Sequence, residues 1–168
     1  MIQQLVGRIT EDEMSEIKEI ILEQGRKFSQ VVEITERQKL FSDEYKPHHR
    51  ASSLSWAVYS GFLEGIKIGN FNVAPYRYGK NHVRPKLENE KIILFIMNSM
   101  DPDAKYLKNF YRMNEDLENE KVYAYIKFFA ERKHWTITNI GIYLPDKNGR
   151  TISKENMYQK PKLKVLGA

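Results

Sequence analysis

The sequence predicts an α+β protein in which N-terminal helices pack on an antiparallel sheet of about four to five strands that ends in a C-terminal hairpin. A capping box and an apolar stripe at helical spacing begin near Thr10. The continuous apolar run Ile92–Met97 is typical of a central strand that is covered on both faces. Two further strand segments, Val122–Ala130 and Trp135–Leu144, are separated by a short charged turn and predict the hairpin.

The first helix is predicted to begin after Thr10, because Glu13 stands at the position that completes a capping box. Apolar residues then follow at helical spacing, namely Met14, Ile17, Ile20 and Ile21. Gly25 leaves two interpretations open. The helix either continues to about Thr35 or breaks at Gly25, with a separate element over 28–34 of which Val31–Ile34 could be a strand.

A second helix is predicted after Pro47, which biases the preceding Lys46 away from helix. Ser52 or Ser53 is the expected cap, and the apolar stripe continues to Ile66. The glycines at 61 and 65 on that stripe would let another backbone approach closely, most simply the sheet. Phe71–Tyr78 then reads as a strand, with Pro75 indicating an edge position or a bulge.

The rest of the chain contains two less defined segments. Asp103–Leu117 is either a helix or a loop, and a short strand or a helix follows the turn at Pro145–Gly149. A chain of 168 residues without an internal linker predicts one domain. Its helical part covers about 1–68, its sheet about 70–153 and a basic tail about 160–168.

Composition narrows the possible chemistry. The chain has no cysteine, which excludes disulfides, thiolate nucleophiles and cysteine-ligated zinc. No secretory signal and no long apolar span are visible, so a cytoplasmic protein with no membrane association is predicted. Lysine outnumbers arginine 18 to 9, a bias that suits an AT-rich bacterial or phage genome.

No metal and no cofactor is predicted, because the sequence contains no phosphate loop, no dinucleotide-binding glycine pattern and no histidine pair at a ligand spacing. Two segments, Glu88–Lys91 and Glu118–Lys121, place acids beside a lysine before a strand and resemble the acid-x-Lys element of metal-dependent nucleases, in which the acid and the lysine lie within a strand. Each lysine directly follows one acid and trails the other by three residues, so the spacing does not match that chemistry.

The stretch Tyr45–Lys86 concentrates positive charge. It contains seven Lys or Arg residues, three of the four histidines and one acid, Glu64, so its net charge is +6 against +5 for the whole chain. The cations form two clusters, at 46–50 and 77–86, on either side of a mostly apolar helix. This stretch is therefore the candidate anion-binding region.

The candidate residues divide by chemistry. Cationic or polar side chains near a helix start and a strand end suit phosphate contacts, and these are His48, Arg50, Arg77, Lys80 and Arg84. Tyr76 and Tyr78 alternate with them and could stack on bases. His49 and His82 are the candidate catalytic acid and base, because metal-independent RNA cleavage requires such a pair beside a cation.

The first functional hypothesis is a small protein that binds RNA or another phosphate-bearing ligand, with metal-independent ribonuclease activity as its extension. The alternative is a protein-interaction module, such as a phage or host-defence accessory protein, whose basic aromatic surface binds an acidic protein partner. The first hypothesis depends on one geometric condition. The strand after the helix must run antiparallel to it, so that the two clusters meet at one end.

Overall fold

The structure is a computed structural model that describes residues 7–39, 46–64, 67–78, 82–100, 114, 121–146, 148 and 150–161. In this part of the chain, two helices pack on one face of a six-stranded mixed sheet. The elements in chain order are α1 (Glu11–Arg37), α2 (Lys46–Leu63), β1 (Asn72–Tyr78), β2 (His82–Glu88), β3 (Ile92–Asn98), β4 (Val122–Ala130), β5 (Ile137–Pro145) and β6 (Thr151–Gln159). The α+β class is confirmed.

Helix α1 begins at the predicted capping box. The Thr10 hydroxyl accepts a hydrogen bond from the Glu13 backbone N–H at 3.1 Å, and the Glu13 carboxylate accepts one from the Thr10 N–H at 2.9 Å. The helix then continues without a break through Gly25 to Arg37, which decides between the two interpretations of that glycine. Gly25 lies against Ile137 of β5, where a side chain would clash.

Helix α2 begins earlier than predicted. It starts at Lys46, so Pro47 lies in its first turn, where a missing N–H breaks no helical hydrogen bond. His48, His49 and Arg50 are therefore residues of the helix and do not precede it. Gly61 faces Gln24 of α1, so the close approach that glycine permits here is to a helix and not to the sheet.

The prediction of a purely antiparallel sheet of four to five strands is wrong. The six strands lie in chain order across the sheet, and β3 and β4 pair in parallel while all other neighbours are antiparallel. Parallel neighbours need a long crossover, and residues 99–121 supply that length. The helix predicted at 103–117 lies outside the described residues except for Asn114.

Strand β2 was not predicted from the sequence, and β6 was one of two alternatives for its segment. The sequence predicts a loop over 79–82 and no strand over the rest of β2, since Pro85 and several charges obscure the alternation. Pro85 pairs with Pro75 of β1, and two residues without N–H groups match only at a non-hydrogen-bonded position of the ladder. Strand β6 extends the predicted β4–β5 hairpin into an antiparallel meander and runs beyond residue 153 to Gln159.

The sheet has two different faces. One face, here called the helix side, packs on α1 and α2 through alternate residues of the central strands, for example Leu94 and Ile126. The other face, here called the outer side, carries a second buried cluster made of Ile93, Phe95, Met97, Tyr125 and Tyr143. All seven residues of β3 are buried, which confirms the predicted central strand.

Candidate functional site

Helix α2 runs antiparallel to β1. The Asn98 amide at the end of β3 donates to the Ala51 carbonyl at 3.2 Å and to the Ser55 hydroxyl at 3.0 Å, so the first turns of α2 lie over the end of β3. Strand β2 is antiparallel to both β1 and β3. The end of β1, the start of β2, the end of β3 and the start of α2 therefore share one end of the molecule, here called the hairpin end.

His49 and Arg77 lie at the hairpin end, and both are exposed. Arg77 follows Val73 and Pro75 in the alternation of β1, which places it on the helix side of the sheet. Among the described residues, its guanidinium makes no hydrogen bond and no ion pair. Within the described ranges, Arg77 thus presents a charge that is not paired.

Arg50 is already engaged. Its guanidinium binds the Glu36 carboxylate of α1 at 2.6 Å, and only 14% of its side chain is exposed. Arg50 thereby joins the start of α2 to the end of α1.

Arg84 and Tyr76 lie on the outer side of the sheet. They pair across β1 and β2, and the Tyr76 ring packs against Phe95 with a centroid distance of 5.0 Å. Arg84 is only 4% exposed. The structure therefore does not bring Arg84 together with His49 and Arg77, because successive residues of a strand alternate between faces.

Four other predicted site residues lie wholly or partly outside the described part of the structure. The side chains of His48, Tyr78 and His82 lie outside the described part of the structure, as does the whole of Lys80. The backbone places His48 in the first turn of α2, while Tyr78 pairs with His82 at the tip of the β1–β2 pair. Their proposed roles stay predictions.

Trp56 was missed by sequence reasoning. It is 55% exposed on α2, so much of the apolar surface of a large side chain remains in contact with water. It follows His49 by seven residues, so the two lie on one face of the helix about two turns apart. The available signal was its position, because Trp56 falls outside the apolar stripe that contains Leu54 and Val58.

The opposite end of the sheet, here called the cleft end, contains a polar cleft of about 900 Å³. Its lining includes Glu88, whose two carboxylate oxygens bind the Lys121 ammonium at 2.6 Å and the Lys86 ammonium at 2.7 Å. These two lysines lower the pKa of Glu88, and partial burial opposes them only in part. Glu88 is thus a fixed carboxylate that orients two cations from β2 and from the start of β4.

Replacing Glu88 by glutamine is expected to lower the free energy of unfolding by about 0.5–1 kcal/mol at about pH 7. A carboxylate whose pKa is lowered by folding stabilises the protein above its unfolded pKa, and this contribution disappears as the pH falls through the folded pKa. The difference between the wild type and Glu88→Gln should therefore vanish once the pH falls below the lowered folded-state pKa of Glu88, where the carboxylate is protonated in both states.

Urea unfolding at several pH values measures this difference. Glu90→Gln is the matched control, since the Glu90 carboxylate, in the same cleft, forms no ion pair within the described ranges. A pH dependence that is the same for both variants would contradict the role given to Glu88.

The structure is that of a two-helix, six-stranded mixed α+β protein with a polar cleft at one end of its sheet. No family model matches the chain, and no match was found among the curated proteins or the solved structures. Within the described residues, no three His, Asp or Glu side chains converge to hold a metal ion. The described helices also include none that is long and apolar enough to cross a bilayer.

Proposed function

We propose that the hairpin end binds RNA or another phosphate-bearing ligand, with His49 and Arg77 contacting phosphates and Trp56 stacking on a base. The observation that carries this proposal is the antiparallel course of α2 and β1. It gives His49 and Arg77 the same end and the same side of the sheet, which is the condition that the sequence hypothesis required.

The contacts of each side chain support this division of roles. Arg77 is exposed and uncommitted, and a guanidinium can donate two parallel hydrogen bonds to one phosphate. Trp56 offers a ring that is already half exposed, so stacking requires no rearrangement of the core. Arg50 and Arg84 are not included, because the first binds Glu36 and the second is buried on the outer side.

Ribonuclease activity extends this proposal. His49 and His82 would act as the acid and the base, and Arg77 would stabilise charge on the phosphate. The backbone of His82 pairs with Tyr78 at the tip of the β1–β2 pair, at the same end as His49. Lys80 and His48 complete the predicted cationic set.

Binding of a single-stranded RNA of mixed sequence should quench the fluorescence of Trp56, and the affinity should fall steeply as salt increases. Arg77→Gln is expected to weaken binding and to reduce the salt slope by about 0.7, the contribution of one phosphate contact on a single strand. Trp56→Phe should remove the quenching, because the other tryptophan, Trp135, is buried.

Arg150→Gln is the matched control for Arg77→Gln, since Arg150 is also exposed but lies at the start of β6, away from the hairpin end. Gel analysis of the same mixtures detects cleavage, which His49→Ala or His82→Ala should abolish. Absence of binding at low salt, or equal effects of the arginine variants, would show that the proposal is wrong.

A protein-interaction module is the second candidate, and the exposed apolar residues of the helices favour it. Val31 and Ile34 on α1 are each 55% exposed, as is Trp56 on α2. Tryptophan is enriched at protein interfaces, and an acidic partner would complement Arg77. A partner that binds through this surface would lose affinity with Trp56→Ala while the chain showed no affinity for RNA.

A further inference from the structure

The cleft end carries charges that neither the fold nor the proposed RNA surface uses. The cleft of about 900 Å³ is lined by Gly7, Arg8, Thr10, Glu13, Asn70, Asn72, Glu88, Asn89, Glu90, Lys91 and Lys121. Every lining residue except Gly7 is polar or charged. Its volume lies in the range of small-molecule sites, but its lining is more polar than theirs usually is.

Two of the three lining carboxylates are occupied by the protein itself. Glu13 accepts from the Thr10 and Asn70 backbone N–H groups at 2.9 and 3.0 Å. Both oxygens of Glu88 bind lysine ammonium groups, one of them from Lys86 outside the lining. The oxygens of both acids are thus occupied by donors of the protein, and the charge of Glu88 is also balanced by its two lysines.

The cations opposite them are much less occupied. Arg8 uses one guanidinium nitrogen to bind the Lys91 carbonyl at 2.8 Å, and its other N–H groups have no partner among the residues that the structure describes. The Lys91 ammonium has no hydrogen-bond or ion-pair partner within the described ranges. Among the described residues, the cleft therefore has unpaired N–H donors on Arg8 and Lys91. Glu90 is its one carboxylate without a partner in that part of the chain.

We propose that this cleft binds a small phosphate monoester whose organic part carries hydroxyl or amino groups. Arg8 and Lys91 supply donors for the phosphate oxygens. Asn70, Asn72 and Glu90 also line this cleft, whose volume is larger than a phosphate alone requires. Amide and carboxylate groups match hydroxyl or amino substituents and do not match an apolar ligand.

The site is separate from the proposed RNA surface, because β2 and β3 extend from one to the other. Strand β2 ends at Glu88, at the cleft end, and begins at the hairpin end. Variants of His49 and Arg77 should therefore leave binding in the cleft unchanged, and variants of the cleft should leave RNA binding unchanged.

Titration with a ribonucleoside 5′-monophosphate, followed by amide chemical shifts, tests this proposal. We expect saturable shifts at Arg8, Asn70, Asn72 and Lys91, and weaker binding of inorganic phosphate and of the unphosphorylated nucleoside. Arg8→Gln and Lys91→Gln should each reduce the affinity about tenfold, which corresponds to about 1.4 kcal/mol.

Lys133→Gln is the matched control, since Lys133 is exposed in the turn between β4 and β5 at the opposite end of the sheet. Lack of saturation overturns the proposal, as does binding that Arg8→Gln and Lys91→Gln leave unchanged. Equal affinity for inorganic phosphate and for the monophosphate overturns the role given to the asparagines and Glu90. Arg77→Gln should weaken RNA binding and leave binding of the monophosphate unchanged, so that failure of one proposal can be told from failure of the other.

Discussion

Replacement of Trp135 by alanine is expected to lower the free energy of unfolding by about 3–5 kcal/mol. Trp135 is 1% exposed and is the largest fully buried side chain among the described residues. Its ring packs edge-on against Phe28 of α1 with a centroid distance of 6.5 Å. Its removal would leave a cavity between α1 and the turn that joins β4 to β5. The expected loss in the free energy of unfolding is a large part of a typical domain's stability.

Denaturant unfolding followed by circular dichroism measures this loss. Trp56→Ala is the matched control, because Trp56 is 55% exposed and its truncation should change the stability by no more than about 0.5 kcal/mol. Trp135→Phe should lower the free energy of unfolding clearly less than Trp135→Ala does. It keeps an aromatic ring and removes a buried indole N–H that has no hydrogen-bond partner among the described groups. Equal losses for Trp135→Ala and Trp56→Ala would contradict the packing assigned to Trp135.

Replacement of Gly25 by valine should destabilise the protein by about 1–3 kcal/mol, although glycine is a poor helix former. A Cβ atom at this position would lie 2.5 Å from Cγ1 and 3.2 Å from Cδ1 of Ile137 on β5. Either Ile137 or the helix would have to move, since close-packed interiors contain little free space. The steric cost therefore exceeds the gain in helix propensity.

A double-mutant cycle isolates this contact. Ile137→Ala alone should cost about 2–5 kcal/mol because it leaves a cavity beside Gly25. In the double variant the valine fills that space, so the combined loss should fall short of the sum by about 0.5–3 kcal/mol. Arg26→Val is the control, since it places valine on the exposed side of the same helix turn. Additive losses in the cycle would show that the two positions do not meet.

Much of the local structure was predictable because it depends on neighbouring residues. The Thr10–Glu13 capping box, the buried run of β3 and the alternation of β4 all appear in the structure as expected. Strand β2 was not predictable in this way. Pro85 and its charged neighbours give no strand pattern until Pro75 of β1 supplies the matching partner.

The candidate site also depends on contacts between residues that are distant in the sequence. The sequence indicated a positively charged region but not which of its cations are free. Arg50 is engaged by Glu36, fourteen residues away, and Arg84 is buried because of the face on which β2 places it. The cleft could not be predicted for the same reason, because its lining comes from four separate segments of the chain between Gly7 and Lys121.

The sequence by itself determined the α+β class, the start of α1, the central strand and the concentration of charge in Tyr45–Lys86. These features depend on periodicity, capping and composition, which are local along the chain. Only the tertiary structure decided the parallel pairing of β3 and β4, the passage of α1 through Gly25 and the different situations of Arg50, Arg77 and Arg84. These depend on residues far apart in sequence, and a side chain's availability is set by the partner that the fold brings to it.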